Sequence, residues 1–175
     1  MTGDVALDGV LTQLVPTTED DLELLASWFA DPDFVENWGG MPLSSQQVAE
    51  KYLGRRRPHV GSYLVLAHGT AVGYAQYWHA NATEGGIDMV LTPDAQGQGL
   101  GSDAAHALVT YLCSERGWRR VTVDPVASNL RAVRAWEKTG FPPGARRAPP
   151  AHGMSPDRVA RAVRDGRGPR RRPRL

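Results

Sequence analysis

A single cysteine, Cys113, rules out any internal disulfide, and its apolar neighbours in a helical stretch make that thiol a small packing residue rather than a nucleophile. No apolar run approaches the ~18 residues needed to cross a bilayer. The N-terminus carries Asp4 and Asp8 and no basic segment ahead of an apolar one, so a secretory signal is not expected and a cytosolic location is. There is no internal repeat. Neither GxGxxG nor GxxxxGK[ST] occurs, which removes the dinucleotide and Walker-type phosphate loops. At 175 residues the chain fits one domain with a single core.

What is present divides unevenly. Residues 142–175 hold ten Arg against Asp157 and Asp165, a net of +8, so the formal charge of +1 leaves 1 − 8 = −7 on residues 1–141. An acidic body suits a cationic partner by focusing the field into a cleft, although an ordinary solvated acidic surface has the same composition. Seven of the 13 prolines also fall after Phe141, and no alternating apolar run remains there. That segment is expected to be a disordered Arg/Pro-rich tail, apart from Ser155-Pro156-Asp157, which reads as the start of a short basic helix over residues 158–165. Ten arginines would give salt-dependent binding to nucleic acid. The tail has no interleaved aromatics, so nucleic acid is not the expected partner.

Before the tail the pattern is regular. Residues 11–15 alternate as a strand ended by Pro16; Thr17 or Thr18 opens a helix whose first turn is acidic, and Asp31-Pro32 ends it. A second helix begins at Ser44 or Ser45. Residues 63–67 and 72–78 are strands joined at His68-Gly69-Thr70. After a polar loop come a strand over residues 87–91, a helix that stops near Gly117, a strand over 119–124, and a helix over 130–139 closed by Gly140. Strands that alternate with helices after an antiparallel hairpin predict an α/β fold with a mixed sheet flanked by helices.

The segment GIDMVLTPDAQGQGLG, residues 86–101, carries most of the functional information. A strand runs into a turn with glycines at three alternate positions and then into a helix. Such a loop bares backbone N–H groups at a helix start, where a phosphate binds, unless it is merely a flexible turn. Downstream, residues 121–141 repeat the order strand, turn, Asn, helix.

Gln96-x-x-Gly99-x-Gly101 with Asn129 and Trp136-Glu137-Lys138-x-Gly140-Phe141 resembles the GCN5-related N-acetyltransferases (GNAT). The pieces Val35-Glu36-Asn37-Trp38-Gly39-Gly40, Gly73-Tyr74-Ala75-Gln76, Gly86-Ile87-Asp88 and Thr122-Val123-Asp124-Pro125 are similar to the aminoglycoside 6′-N-acetyltransferases among them. The resemblance covers roughly residues 11–141, taken with the N-terminus as one transferase domain of residues 1–141. It implies a mostly antiparallel mixed sheet, acetyl-coenzyme A as cosubstrate, no metal, and a cationic small-molecule amine as acceptor, in a monomer or homodimer.

The resemblance also implies roles. Backbone groups of Met89, Val90 and Leu91 would bind the pantetheine arm and thioester, and Gln96, Gly97, Gln98, Gly99, Leu100, Gly101 and Ser102 would cradle the pyrophosphate. Asp88, on the opposite strand face from Met89, would hold the substrate ammonium and help remove its proton; otherwise it is an exposed carboxylate or a cap. Asp124 would be a second carboxylate for the acceptor, or only a turn former before Pro125. Glu36 and Trp38 would contact substrate, or belong to a plain core. Asn129 would cap a helix and bond the arm. Trp136 stands where relatives carry a Tyr that protonates the departing thiolate, and an indole N–H is no usable acid near neutral pH. Two further departures are the loop over residues 78–86, acidic only at Glu84, and the tail, where the two strands that complete the family's sheet are expected to be missing or altered, as by an out-of-frame C-terminus. An acetyltransferase for another amine, such as a siderophore hydroxylamine or a protein N-terminus, and a catalytically impaired acyl-coenzyme A-binding protein, are the alternatives.

Overall fold

The computed structural model describes residues 4–125, 128–141 and the backbone of 162–165. Among these residues seven strands lie in one sheet in chain order: β1 (Leu7–Asp8), β2 (Gln13–Pro16), β3 (Val60–Ala67), β4 (Thr70–Asn81), β5 (Glu84–Leu91), β6 (Arg120–Val123) and β7 (Ala162–Asp165). All neighbours are antiparallel except β5 and β6, which are parallel. The β3–β4 hairpin closes on His68 and Gly69, both at positive φ, the backbone of a two-residue turn that matches strand twist. The expected polar loop at 78–86 is mostly strand, since β4 runs to Asn81 and β5 starts at Glu84.

Among the described residues five α-helices pack the two faces: α1 (Leu22–Ala30), α2 (Pro32–Val35), α3 (Ser45–Tyr52), α4 (Leu100–Ser114) and α5 (Leu130–Lys138). Thr18 opens a single 3₁₀ turn ahead of α1, its N–H donating to Asp21 Oδ2 at 2.8 Å. Thr17 is buried instead, with Oγ1 donating to the Tyr52 carbonyl. Ser44 caps α3, and its Oγ accepts from the Gln47 N–H. Strand alternation sends Tyr63, Val65, Ala75, Tyr77 and Ile87 to one core with α4, Trp118, Val121 and Phe141. Leu64, Tyr74 and Val90 go to the other, against Leu25, Phe29, Phe34, Val48 and Tyr52 of the first three helices.

The C-terminal expectation needs correction. Residues 162–165 form a strand, not the end of a short helix, and pair antiparallel with β6 from Arg120↔Asp165 to Val123↔Ala162. The open edge of β6 offers a row of backbone hydrogen bonds that a marginal isolated helix cannot match. The rest of the proposed tail lies outside the described residues.

Candidate functional site

β5 and β6 pair only from Glu84↔Arg120 to Gly86↔Thr122, while β5 continues to Leu91. Past Gly86 the two strands therefore part. A cleft of about 430 Å³ opens there, lined by Asp88, Met89, Val90 and Leu91 of β5, Gln96, Gly97, Gly99, Gly101 and Ser102 of the glycine-rich loop and helix start, Asp124, and Asn129 and Trp136 of α5. Trp38 closes it from the α2 side. Of the residues singled out by sequence, three stand apart from this lining: Gln98 is exposed and donates to the Asp94 carbonyl, Leu100 is buried with Ala67 and Ala95, and Glu36 is exposed.

The loop geometry is that of an anion cradle. Gly97 and Gly99 sit at φ 76 and 78, in the left-handed region that favours glycine, and a Cβ on Gly97 would point into open space. Gly99 is the N-cap of α4. The N–H groups of Leu100, Gly101 and Ser102 in the first turn have no intrahelical partner, and the helix dipole adds partial positive charge there. Gln96 is a clip rather than a loose ligand: its Nε2 donates to the Leu91 carbonyl at 3.2 Å, and its Oε1 accepts from Arg131 Nη1 at 3.0 Å. It thereby ties the end of β5 to α5 across the cleft mouth.

Asp88 is half-buried, and Gln76 Nε2 donates to its Oδ2 at 3.0 Å. Met89, its neighbour, packs against the α4 core on the opposite face, as alternation requires. Trp38 is half-buried in an aromatic group: its indole N–H donates to the Tyr52 hydroxyl at 2.8 Å, with Phe29 and Tyr74 edge-on at 5.8 and 5.6 Å. Asn129 Oδ1 accepts from the Ala132 N–H at 3.1 Å and caps α5. Trp136 packs edge-on against Phe141 at 5.5 Å, and Gly140 at φ 93 lets the Phe141 N–H reach the Trp136 carbonyl.

Sequence reasoning missed Asp33 and Asn37 on the α2 side of the cleft, and Arg131, Arg134 and Lys138 on the α5 side. The spacing of 131, 134 and 138 along one helix face was the available signal. Charge in the cleft is thus sorted, with carboxylates at Asp33, Asp88 and Asp124 and cations along α5.

Comparison with known proteins agrees with this arrangement. A protein of Klebsiella pneumoniae called aminoglycoside N(6′)-acetyltransferase type 1 is 34% identical over 151 residues, covering 77% of this chain and 74% of that protein. The solved structure of AAC(6′)-Ib in complex with ribostamycin and coenzyme A has a TM-score of 0.76 at 29% identity, covering 89% of this chain and 93% of that one. The complex of AAC(6′)-Ib with coenzyme A and kanamycin gives 0.74 at 28%, over 88% and 94%. The family described as Acetyltransferase (GNAT) domain matches residues 12–142, from β2 through the end of α5. The chain belongs to the GNAT acetyltransferase family.

Proposed function

We propose that this protein transfers the acetyl group of acetyl-coenzyme A to the 6′-amino group of an aminoglycoside, by direct attack of the amine on the thioester. The observation that carries the reading is the sharing of one cleft by the β5/β6 parting, the bare amides at the start of α4, and Asp88. The cosubstrate supplies a thioester whose carbonyl carbon accepts the amine. Its diphosphate fits the cradle of residues 96–102, and its arm fits beside Met89, Val90 and Leu91, with Asn129 Nδ2 as a donor because Oδ1 is committed to the cap.

Asp88 holds the acceptor's ammonium and takes its proton, directly or through one water. The nitrogen then forms the new C–N bond, and a β5 amide among residues 89–91 donates to the developing oxyanion. When the C–S bond breaks, the nitrogen gives up its second proton to water and the leaving thiolate takes a proton from water, since Trp136 carries no acidic hydroxyl. Asp124 and Asp33 face further ammonium groups of a polycationic acceptor, and Trp38 offers a ring face to a sugar. The reading places the enzyme in the cytoplasm.

The test is release of thiol from acetyl-coenzyme A on addition of kanamycin, with the product's acetyl position assigned by NMR. Acetylation at the 6′ nitrogen is expected. Thiol release only with other amines, or acetylation elsewhere on the ring system, contradicts the proposal.

A further inference from the structure

Behind Asp88 runs a line of side chains that no part of the reaction above uses. Gln76 on β4 faces Asp88 across the β4–β5 register and is 9% exposed. Its Oε1 receives two donors, Arg56 Nη2 at 3.0 Å and the Tyr74 hydroxyl at 3.1 Å. Tyr74 is fully buried and also shares a hydrogen bond with Ser62 Oγ at 2.8 Å. Burial pushes the Tyr74 phenol well above its ordinary range, against the Ser62 hydrogen bond, so it remains a neutral donor. Arg56 is itself held: its Nε donates to the Lys51 carbonyl at 2.9 Å, and its guanidinium lies 5.9 Å from the centre of the Tyr52 ring.

These contacts fix which way the Gln76 amide points. An arginine cannot accept a hydrogen bond and an ionised carboxylate cannot donate one. Turning the amide over would set Nε2 against the Arg56 guanidinium and Oε1 against Asp88, losing the bonds on both sides and leaving a buried amide mispaired. The only satisfied arrangement aims Nε2 at Asp88 Oδ2.

We propose that Gln76 is a positioning residue for the transferase reaction: anchored by Arg56 and Tyr74, it aims a fixed donor at Asp88 Oδ2 and so sets the orientation of that carboxylate and its hold on a proton. The inference rests on the reading of Asp88 as the group that receives the acceptor's proton. Other charges share the cleft, Asp33 on α2, Asp124 after β6, and Arg131, Arg134 and Lys138 on α5, and they are common to all the variants compared below.

Gln76→Glu is the informative change. Its carboxylate can still accept from Arg56 and Tyr74, so the buried end stays satisfied, but toward Asp88 a donor becomes a like charge. In the full chain, the side-chain carboxyl carbon of Asp88, assigned with Asp88→Asn, is titrated by NMR. A charged neighbour disfavours ionisation, so the Asp88 midpoint is expected to rise by about one pH unit or more. With acceptor present, kcat at neutral pH is expected to fall at least about tenfold, with KM for acetyl-coenzyme A little changed. Gln76→Met, which removes the donor without adding charge, should move the midpoint the same way by less.

Should the Gln76 variants fail to fold, Arg56→Met removes the anchor from the half-exposed side and should raise the Asp88 midpoint in the intact protein. An Asp88 midpoint that is the same in wild type and the folded variants overturns the proposal. Unchanged turnover in Asp88→Asn would instead remove Asp88 from the reaction, and because the titration needs no turnover, the two failures are distinguishable.

Discussion

The roles proposed for Asp88 and Trp136, and the bonding of Asp103, can each be isolated by a single substitution. For Asp88→Asn, turnover is expected to fall by about 10²–10⁴, the range of a positioned acid or base, while coenzyme affinity measured by calorimetry stays near wild type. Trp136→Tyr keeps an aromatic edge against Phe141 and restores a hydroxyl in the cleft, so faster turnover is expected; a slower enzyme would assign the indole a packing role. Asp103 is a different kind of carboxylate. Its oxygens accept from the N–H groups of Val10, Leu11 and Thr12 and from Thr12 Oγ1, which pins the β1–β2 turn to α4. Partial burial pushes its proton affinity up, but the four hydrogen bonds outweigh this and hold its pKa below the ordinary value. The lowered folded pKa means that its contribution to stability is present above the unfolded carboxylate pKa near ~3.9 and is lost as pH falls through the folded value. Asp103→Asn should cost about 1–2 kcal/mol at pH 7 and flatten the loss of stability below pH ~4, read from denaturant midpoints across pH. The resemblance carried by Gly86-Ile87-Asp88 pointed to Asp88, which lines the cleft, whereas Asp103 and Gln76 were not legible, because their partners lie 91 and 12 residues away, across a fold that must first be known.

At the scale of elements, local chemistry announced the helices well. The Ser44 cap, the stop at Asp31-Pro32 and the Gly140 terminus all stand where turn and cap preferences put them. α2 was missed because four residues are too few for a periodic signal, and the strand at 162–165 was missed because its stability comes from the edge of β6 rather than from its own composition. The glycine-rich loop offers a paired test of its function. Gly69 in the β3–β4 turn and Gly99 at the start of α4 have nearly the same φ, 77 and 78, and a Cβ on either meets nothing nearer than 4.0 Å. Alanine should therefore cost each about 1–2 kcal/mol of backbone strain. On the proposed reading only Gly99→Ala should also weaken coenzyme A binding, because only there would the altered backbone present amides to the diphosphate. Equal affinities in the two variants, measured by calorimetry, would remove the loop from cosubstrate binding.

For the whole molecule, the sheet order and the uneven charge are the features that matter. No described helix is long and apolar enough to cross a membrane. The parallel pairing of β5 with β6 lasts three residue pairs, so the cleft is a consequence of topology, where one strand outruns its partner. Periodicity could suggest both strands but not where they separate, because that depends on the cross-strand register, whose last pair is Gly86↔Thr122. Deleting the chain after Phe141 removes β7 and uncovers β6. A lower melting temperature and faster amide exchange in Val121 and Val123 are expected, and an unchanged melting temperature would show that β7 adds nothing to the sheet. The central claim is that the cleft receives coenzyme A with its diphosphate on the helix-start amides and its arm along β5. It is tested most directly by following backbone amide resonances during a titration with coenzyme A. The account predicts the largest shifts at residues 97–102 and 89–91, with β1 to β3 nearly still; saturable binding that leaves those amides unmoved, or no binding at all, would contradict it.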